Sequence, residues 1–146
     1  MPSFATDRRV RHSATDMFDL VADVESYPLF VPLCERLVVR GRSQMNETEI
    51  LVADMTISFK LIRETFTSRV TLERPALKIS ATYLDGPFSH LDNRWSFVPI
   101  SDSESTVRFS IDYEFRSRAL SALMGAVFDR AFRKFAAAFE ARADEI

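Results

Sequence analysis

The chain has 146 residues, 47% of them hydrophobic and 27% charged, a length and balance that suit one domain with a real core and exclude a disordered tail. With 19 basic against 21 acidic residues the net charge is -2, which leaves no footprint for tight binding to a phosphate backbone, and DNA falls away as a partner. One Cys and 2 His leave almost no ligands for a metal site, whereas 13 Phe against 3 Gly point to an aromatic interior without the glycine loops that cradle phosphates.

At the N-terminus, Met1 to Arg9 holds no apolar run that would serve as a signal segment, and the chain has no membrane-length apolar stretch. The expectation is a cytoplasmic protein that at most touches the inner face of a membrane. Residues 4–11 predict an edge strand. Ser13-Ala14-Thr15-Asp16 has the form of a capping box, and Met17, Phe18, Leu20, Val21 and Val24 follow at helical spacing, with Asp16, Asp19 and Asp23 facing away. A short amphipathic helix is expected, ending near Tyr27-Pro28. The next segment, Tyr27 to Cys34, sets Pro28 and Pro32 among large apolar side chains. It reads either as a stiffened connector whose aromatics fill the core or as a gate that holds Tyr27, Phe30 and Leu33 outward.

From Leu37 to Phe115 the apolar period changes to two, predicting strands near 36–42, 48–57, 62–73, 77–84, 92–100 and 106–116, with joints short enough for an antiparallel meander. In the last, Val107, Phe109, Ile111, Tyr113 and Phe115 alternate with Arg108, Ser110, Asp112 and Glu114; Leu51, Ala53, Met55, Ile57 and Leu77, Ile79, Ala81, Tyr83 repeat the pattern. One apolar sheet face needs a cover. Residues 118–145 supply it, with no Pro, one Gly and a stripe through Leu120, Leu123, Met124, Val127, Phe128, Ala131, Phe132, Phe135 and Phe139. At ~1.5 Å per residue this predicts one helix about 40 Å long. The fold class is α+β, a single domain over 1–146.

Taken in this order, the elements resemble the START-like, or polyketide cyclase/dehydrase-like, superfamily (SRPBCC). The segments Tyr27-Pro28-Leu29-Phe30-Val31-Pro32-Leu33-Cys34, Phe59-Lys60 and Arg63 to Val70 resemble its ubiquinone-binding branch, whose first motif runs approximately Tyr-Pro-x-Phe-Val/Leu-Pro-Trp-Cys. Leu33 stands where the motif has Trp. The resemblance implies a helix-grip fold, a curved antiparallel sheet of about seven strands around a long C-terminal helix. It also implies binding of ubiquinone (coenzyme Q), or a similar polyisoprenoid lipid, as a carried ligand, with no cofactor, no metal and no catalytic residue. The same branch includes bacterial toxins that block ribosomal subunit association, so the ribosome is the alternative partner.

The side chains expected to line the tunnel are Tyr27, Phe30, Pro32 and Leu33 of the connector, Phe66, Tyr83, Trp95, Phe109 and Tyr113 of the strands, and Met124, Phe128 and Phe132 of the helix. The Trp95 indole N–H either faces a quinone oxygen or is satisfied by a backbone carbonyl. Gly125, at a position where glycine costs about 1 kcal/mol relative to alanine, suggests close approach of a ligand or backbone. The run Arg116, Arg118, Arg130, Arg133, Lys134 and Arg142, joined by Arg36, Arg40 and Arg42, is either a solvated face or a dock for lipid headgroups or ribosomal RNA. An enzymatic reading, cyclisation or dehydration of an aromatic polyketide, has only Asp54, His90 and Tyr113 as candidate acid/base groups.

Overall fold

Strand alternation and turn chemistry set the frame of the computed structural model, which describes residues 3–146. Seven strands, β1 (Ser3–Val10), β2 (Cys34–Met45), β3 (Thr48–Phe59), β4 (Ile62–Glu73), β5 (Lys78–Asp85), β6 (Phe88–Ser101) and β7 (Glu104–Phe115), form one antiparallel sheet in the order β1-β7-β6-β5-β4-β3-β2. The strands after β2 are joined to their sequence neighbours, and β1 closes onto β7 with Ser3 opposite Asp112 and Val10 opposite Ser105. Asn46, Lys60 and Leu77 take left-handed backbone conformations in the connecting turns. Register shifts at Cys34/Arg36 and Val39/Gly41 in β2, at Thr67/Ser68 in β4 and at Phe88/His90 in β6 bend the sheet. Its concave face is apolar: Val107, Phe109, Ile111 and Tyr113 are all buried, while Arg108, Asp112 and Glu114 are exposed on the other side.

Helix α1 (Ala14–Ala22) starts where the capping pattern places it, with the Asp16 N–H donating to Ser13 Oγ at 3.1 Å. It buries Met17, Phe18, Leu20 and Val21 and runs through Asp23 into a 3-10 turn, Val24–Leu29. The C-terminal cover departs from the expected single helix. It is two helices, α2 (Arg118–Arg133) and α3 (Phe135–Glu145), divided at Lys134. The Lys134 N–H donates to Ala131 O at 3.0 Å, a tightened i to i−3 turn that apolar periodicity does not register. An ion pair, Arg8 with Glu140, and a hydrogen-bond contact of His12 Nε2 with Asp144 Oδ1, each at 2.6 Å, anchor α3 to the β1 region. The ion pair of α2 joins its own Arg133 and Asp129. Among the described residues no helix is long and apolar enough to cross a membrane.

Candidate functional site: an apolar cavity under the C-terminal helices

Between the concave face and the two C-terminal helices lies a cavity of about 100 Å³. Its floor is hollow because the side chains there are small. Ala53 on β3 sits directly opposite Ser68 on β4, and Ala81 on β5 is opposite Val70, so three adjacent strands each present a small residue where their neighbours present Leu, Val or Ile. Phe128, Ala131 and Phe132 of α2 with Phe135 and Phe139 of α3 form the roof; Tyr27, Pro32 and Leu33 close one side.

The wall is almost free of polar groups able to meet a ligand. The Tyr27 hydroxyl donates to the Val21 carbonyl, and burial pushes its pKa above the ordinary phenol value, so it stays neutral. The Asn93 amide donates to Ser110 O at 2.9 Å, and its oxygen accepts the Trp95 indole N–H at 3.0 Å. The indole donor is therefore committed within the wall, to a side-chain carbonyl. Ser68 supplies one hydroxyl. Among the described residues Tyr27 is the one ionisable side chain lining the cavity.

Seven of the sequence-derived positions lie on the wall: Tyr27, Pro32, Leu33, Phe66, Trp95, Phe128 and Phe132. Leu33, at φ 67°, has its carbonyl fixed by the Ser58 N–H at 3.0 Å, which ties the proline segment to β3. The other five stand away from the cavity because neighbouring rings or backbone occupy them. Phe30 packs outside, its ring 5.0 Å from that of Phe139 and under the Arg142 guanidinium. The Tyr83 hydroxyl accepts the Phe88 N–H at 3.2 Å. Phe109 packs with Phe4 and Trp95, and Met124 is buried on α2 beyond the lining. Tyr113 lies among Phe88, Phe115 and Phe132, its buried hydroxyl without a hydrogen-bond partner among the described residues and its pKa raised by burial.

Reasoning from single residues missed the floor, Ala53, Ser68 and Ala81, although the period-two pattern already turned Ala53 and Ala81 inward. The missing signal was cross-strand register. The close approach suggested by Gly125 is not found, since a Cβ there would meet only Ser121 Oγ, at 3.9 Å. Gly86, in the β5–β6 turn, is the constrained glycine, at φ 141° with a Cβ position 2.6 Å from Phe66 Cβ. Of the enzymatic candidates, Asp54 is held by Arg40 and by Thr67 Oγ1, His90 is not on the wall, and Tyr113 lies beyond it.

The family model described as polyketide cyclase/dehydrase and lipid transport matches residues 10–140. The chain belongs to that family, and its architecture is that of the START superfamily. Among curated relatives, the ribosome association toxin RatA of Escherichia coli K12 is 33% identical over 148 residues, covering 100% of this chain and 89% of the relative. The mitochondrial coenzyme Q-binding protein COQ10 of Drosophila melanogaster is 34% identical over 123 residues, 82% of this chain and 49% of the relative. The solution structure of the 18 kDa protein CC1736 from Caulobacter crescentus superposes with a TM-score of 0.80 at 33% identity, covering 99% of this chain and 97% of that one.

Proposed function

We propose that the protein binds ubiquinone, or a closely similar polyisoprenoid lipid, between the sheet and the C-terminal helices and carries it without altering it. The observation that carries this reading is the cavity itself, walled by aliphatic and aromatic side chains whose few polar groups are largely bonded to the protein. The likeness to a coenzyme Q-binding protein supports it. With Tyr27 neutral and the enzymatic candidates off the wall, no acid/base step is assigned to the chain.

A cavity of about 100 Å³ is far smaller than a polyisoprenoid quinone. Loading must therefore widen it. Helix α2 is the element to move: α3 is held by the Arg8–Glu140 ion pair and by His12 against Asp144, whereas α2 meets β1 through the Arg133 guanidinium over the Phe4 ring and joins α3 through the turn at Lys134. Swinging α2 outward separates Phe128 and Phe132 from the floor and admits the tail, whose burial contributes roughly 0.8 kcal/mol per CH₂. Uptake of ubiquinone from liposomes tests this. Wild-type protein should acquire quinone, and Ala81→Leu, which fills the floor, should acquire less than a tenth as much; equal uptake by both would place the lipid elsewhere.

A second reading rests on the full-length likeness to ribosome association toxins. It needs free surface cations, and the structure pairs several of the candidates: Arg40 with Asp54, Arg42 with Glu25 and Glu49, Arg133 with Asp129, and Arg142 with Glu145. Arg36, Arg118, Arg130 and Lys134 form no ion pair among the described residues. Salt-sensitive cosedimentation with ribosomal subunits, lost on reversing those charges and indifferent to Ala81→Leu, would favour that reading.

A further inference from the structure

Tyr113 carries a polar group that packing does not explain. The residue is 1% exposed, and its hydroxyl is the one buried side-chain oxygen or nitrogen without a hydrogen-bond partner among the described residues. A donor held in this way weakens the empty fold, because it has lost water and gained nothing in exchange. The core contacts of Tyr113 with Phe88, Phe115 and Phe132 are made by its ring. The oxygen adds nothing to them.

Its place in the sheet puts that oxygen next to the cavity. On β7 Tyr113 follows Ile111 along the concave face, and it stands opposite Leu91 of β6; Ile111 and Leu91 both line the cavity. What keeps Tyr113 off the wall is α2, whose lining residue Phe132 packs with its ring 5.0 Å from the Tyr113 ring. The charges of Asp129 and Arg133 act on the phenol, so its oxygen lies on the α2 side, yet those two side chains bond to each other at 2.9 Å and neither partners the hydroxyl. An outward swing of α2, which loading requires in any case, carries Phe132 away and leaves Tyr113 on β7 as the next residue of the wall.

We propose that Tyr113 is the headgroup subsite: in the loaded protein its O–H donates to a carbonyl oxygen of the quinone ring, held between β7 and α2, while the isoprenoid tail lies over the floor of small residues. This rests on the lipid-carrier reading and gives it an orientation and a basis for choosing a quinone over a hydrocarbon. The inventory of donors favours it. A quinone ring offers acceptors alone, and most donors of the wall are engaged within the protein: the Tyr27 O–H with Val21 O, the Trp95 N–H with Asn93 Oδ1, and the Asn93 amide with Ser110 O. Ser68, on the floor, is the competing donor, but the Tyr113 hydroxyl is the one sealed without a partner, so a ligand oxygen relieves a cost there. A ligand with no oxygen would leave that donor unpaired and lose by comparison.

The test is competitive uptake from liposomes that carry equal amounts of ubiquinone and squalene, a polyisoprenoid hydrocarbon without oxygen, with both lipids counted by mass spectrometry in the re-isolated protein. Wild type should take ubiquinone in preference. Tyr113→Phe should lower the ubiquinone-to-squalene ratio about tenfold, the factor that one hydrogen bond supplies, while its total lipid stays close to that of wild type; a general loosening of the core would reduce both lipids together. The empty variant should melt at or above the wild-type temperature, since the hydroxyl it lacks had no partner. A wild-type ratio in Tyr113→Phe, or a lower melting temperature, would overturn the subsite and leave the carrier reading standing. A ratio that falls in Ser68→Ala and not in Tyr113→Phe would put the headgroup on the floor and overturn the subsite as well. Wild type that takes both lipids equally would overturn it while keeping lipid carriage, and wild type that takes neither would remove the carrier reading and the subsite with it.

Discussion

The Trp95 indole N–H donates to Asn93 Oδ1 at 3.0 Å, two residues along the same face of β6, and so seals the polar edge of one cavity wall. The Asn93 amide completes the link by donating to Ser110 O on β7 at 2.9 Å. Asn93→Ala strands an indole donor and loosens a backbone carbonyl, each loss costing about 1–3 kcal/mol. Urea unfolding should show a destabilisation of that order, with Trp95 fluorescence shifted red as water reaches the ring. An unchanged midpoint would mean that the link does not form.

The floor of the cavity is set by side-chain size, so enlarging one of its residues should separate binding from stability. Ala81→Leu places its added carbons in empty space, and its unfolding free energy should stay within about 1 kcal/mol of wild type. The same holds for Ala53→Val. A large loss of stability in both would show that the hollow is already filled.

The two informative glycines should behave oppositely. Gly125→Ala gains helix propensity with no atom nearer than 3.9 Å to the new methyl group, and should stabilise the fold by about 0.5–1 kcal/mol. Gly86→Ala forces a Cβ to 2.6 Å from Phe66 Cβ at a positive φ, and should destabilise by about 2 kcal/mol or more. Thermal melts of the two variants decide both.

Alkali should weaken the fold. Burial pushes the Cys34 thiol up from 9.0 to about 11, and the Tyr27 and Tyr113 phenols move upward as well. A group whose pKa is higher in the folded state keeps its proton there after the unfolded chain has lost it. The Cys34 contribution is therefore complete below about pH 9 and is lost as the pH rises through about 11. Urea midpoints should fall across that window, with a shallower slope in Cys34→Ala; a flat profile in wild type would contradict the burial of these groups.

Much of this architecture is legible in residue order because each strand carries its own alternation. Val107 to Phe115 declares one wet and one dry face without reference to any other segment, and Ser13 marks the start of α1. The cavity is different. Ala53, Ser68 and Ala81 form a hollow only through pairing between three strands, a long-range property that no local pattern records. Phe109 and Tyr113 share the concave face with Ile111, yet only Ile111 reaches the cavity, because Phe4, Trp95 and Phe135 surround the Phe109 ring and Phe88, Phe115 and Phe132 surround the Tyr113 ring. The break at Lys134 escaped for a related reason: it changes one hydrogen bond without changing the apolar stripe.

If α2 is the moving roof, its amides should exchange with solvent faster than those of α3, and ubiquinone should slow the α2 set selectively. Hydrogen exchange read peptide by peptide on empty and loaded protein measures this. Equal protection of both helices would place the opening at the Pro28–Pro32 segment instead.

Carriage of a polyisoprenoid quinone in the cavity is read by extracting the natively expressed, purified protein with organic solvent and identifying the extract by mass spectrometry and ultraviolet absorption. Wild type should yield close to one quinone per chain and Ala81→Leu almost none. An extract free of quinone, from protein that also takes none up from liposomes, would contradict it.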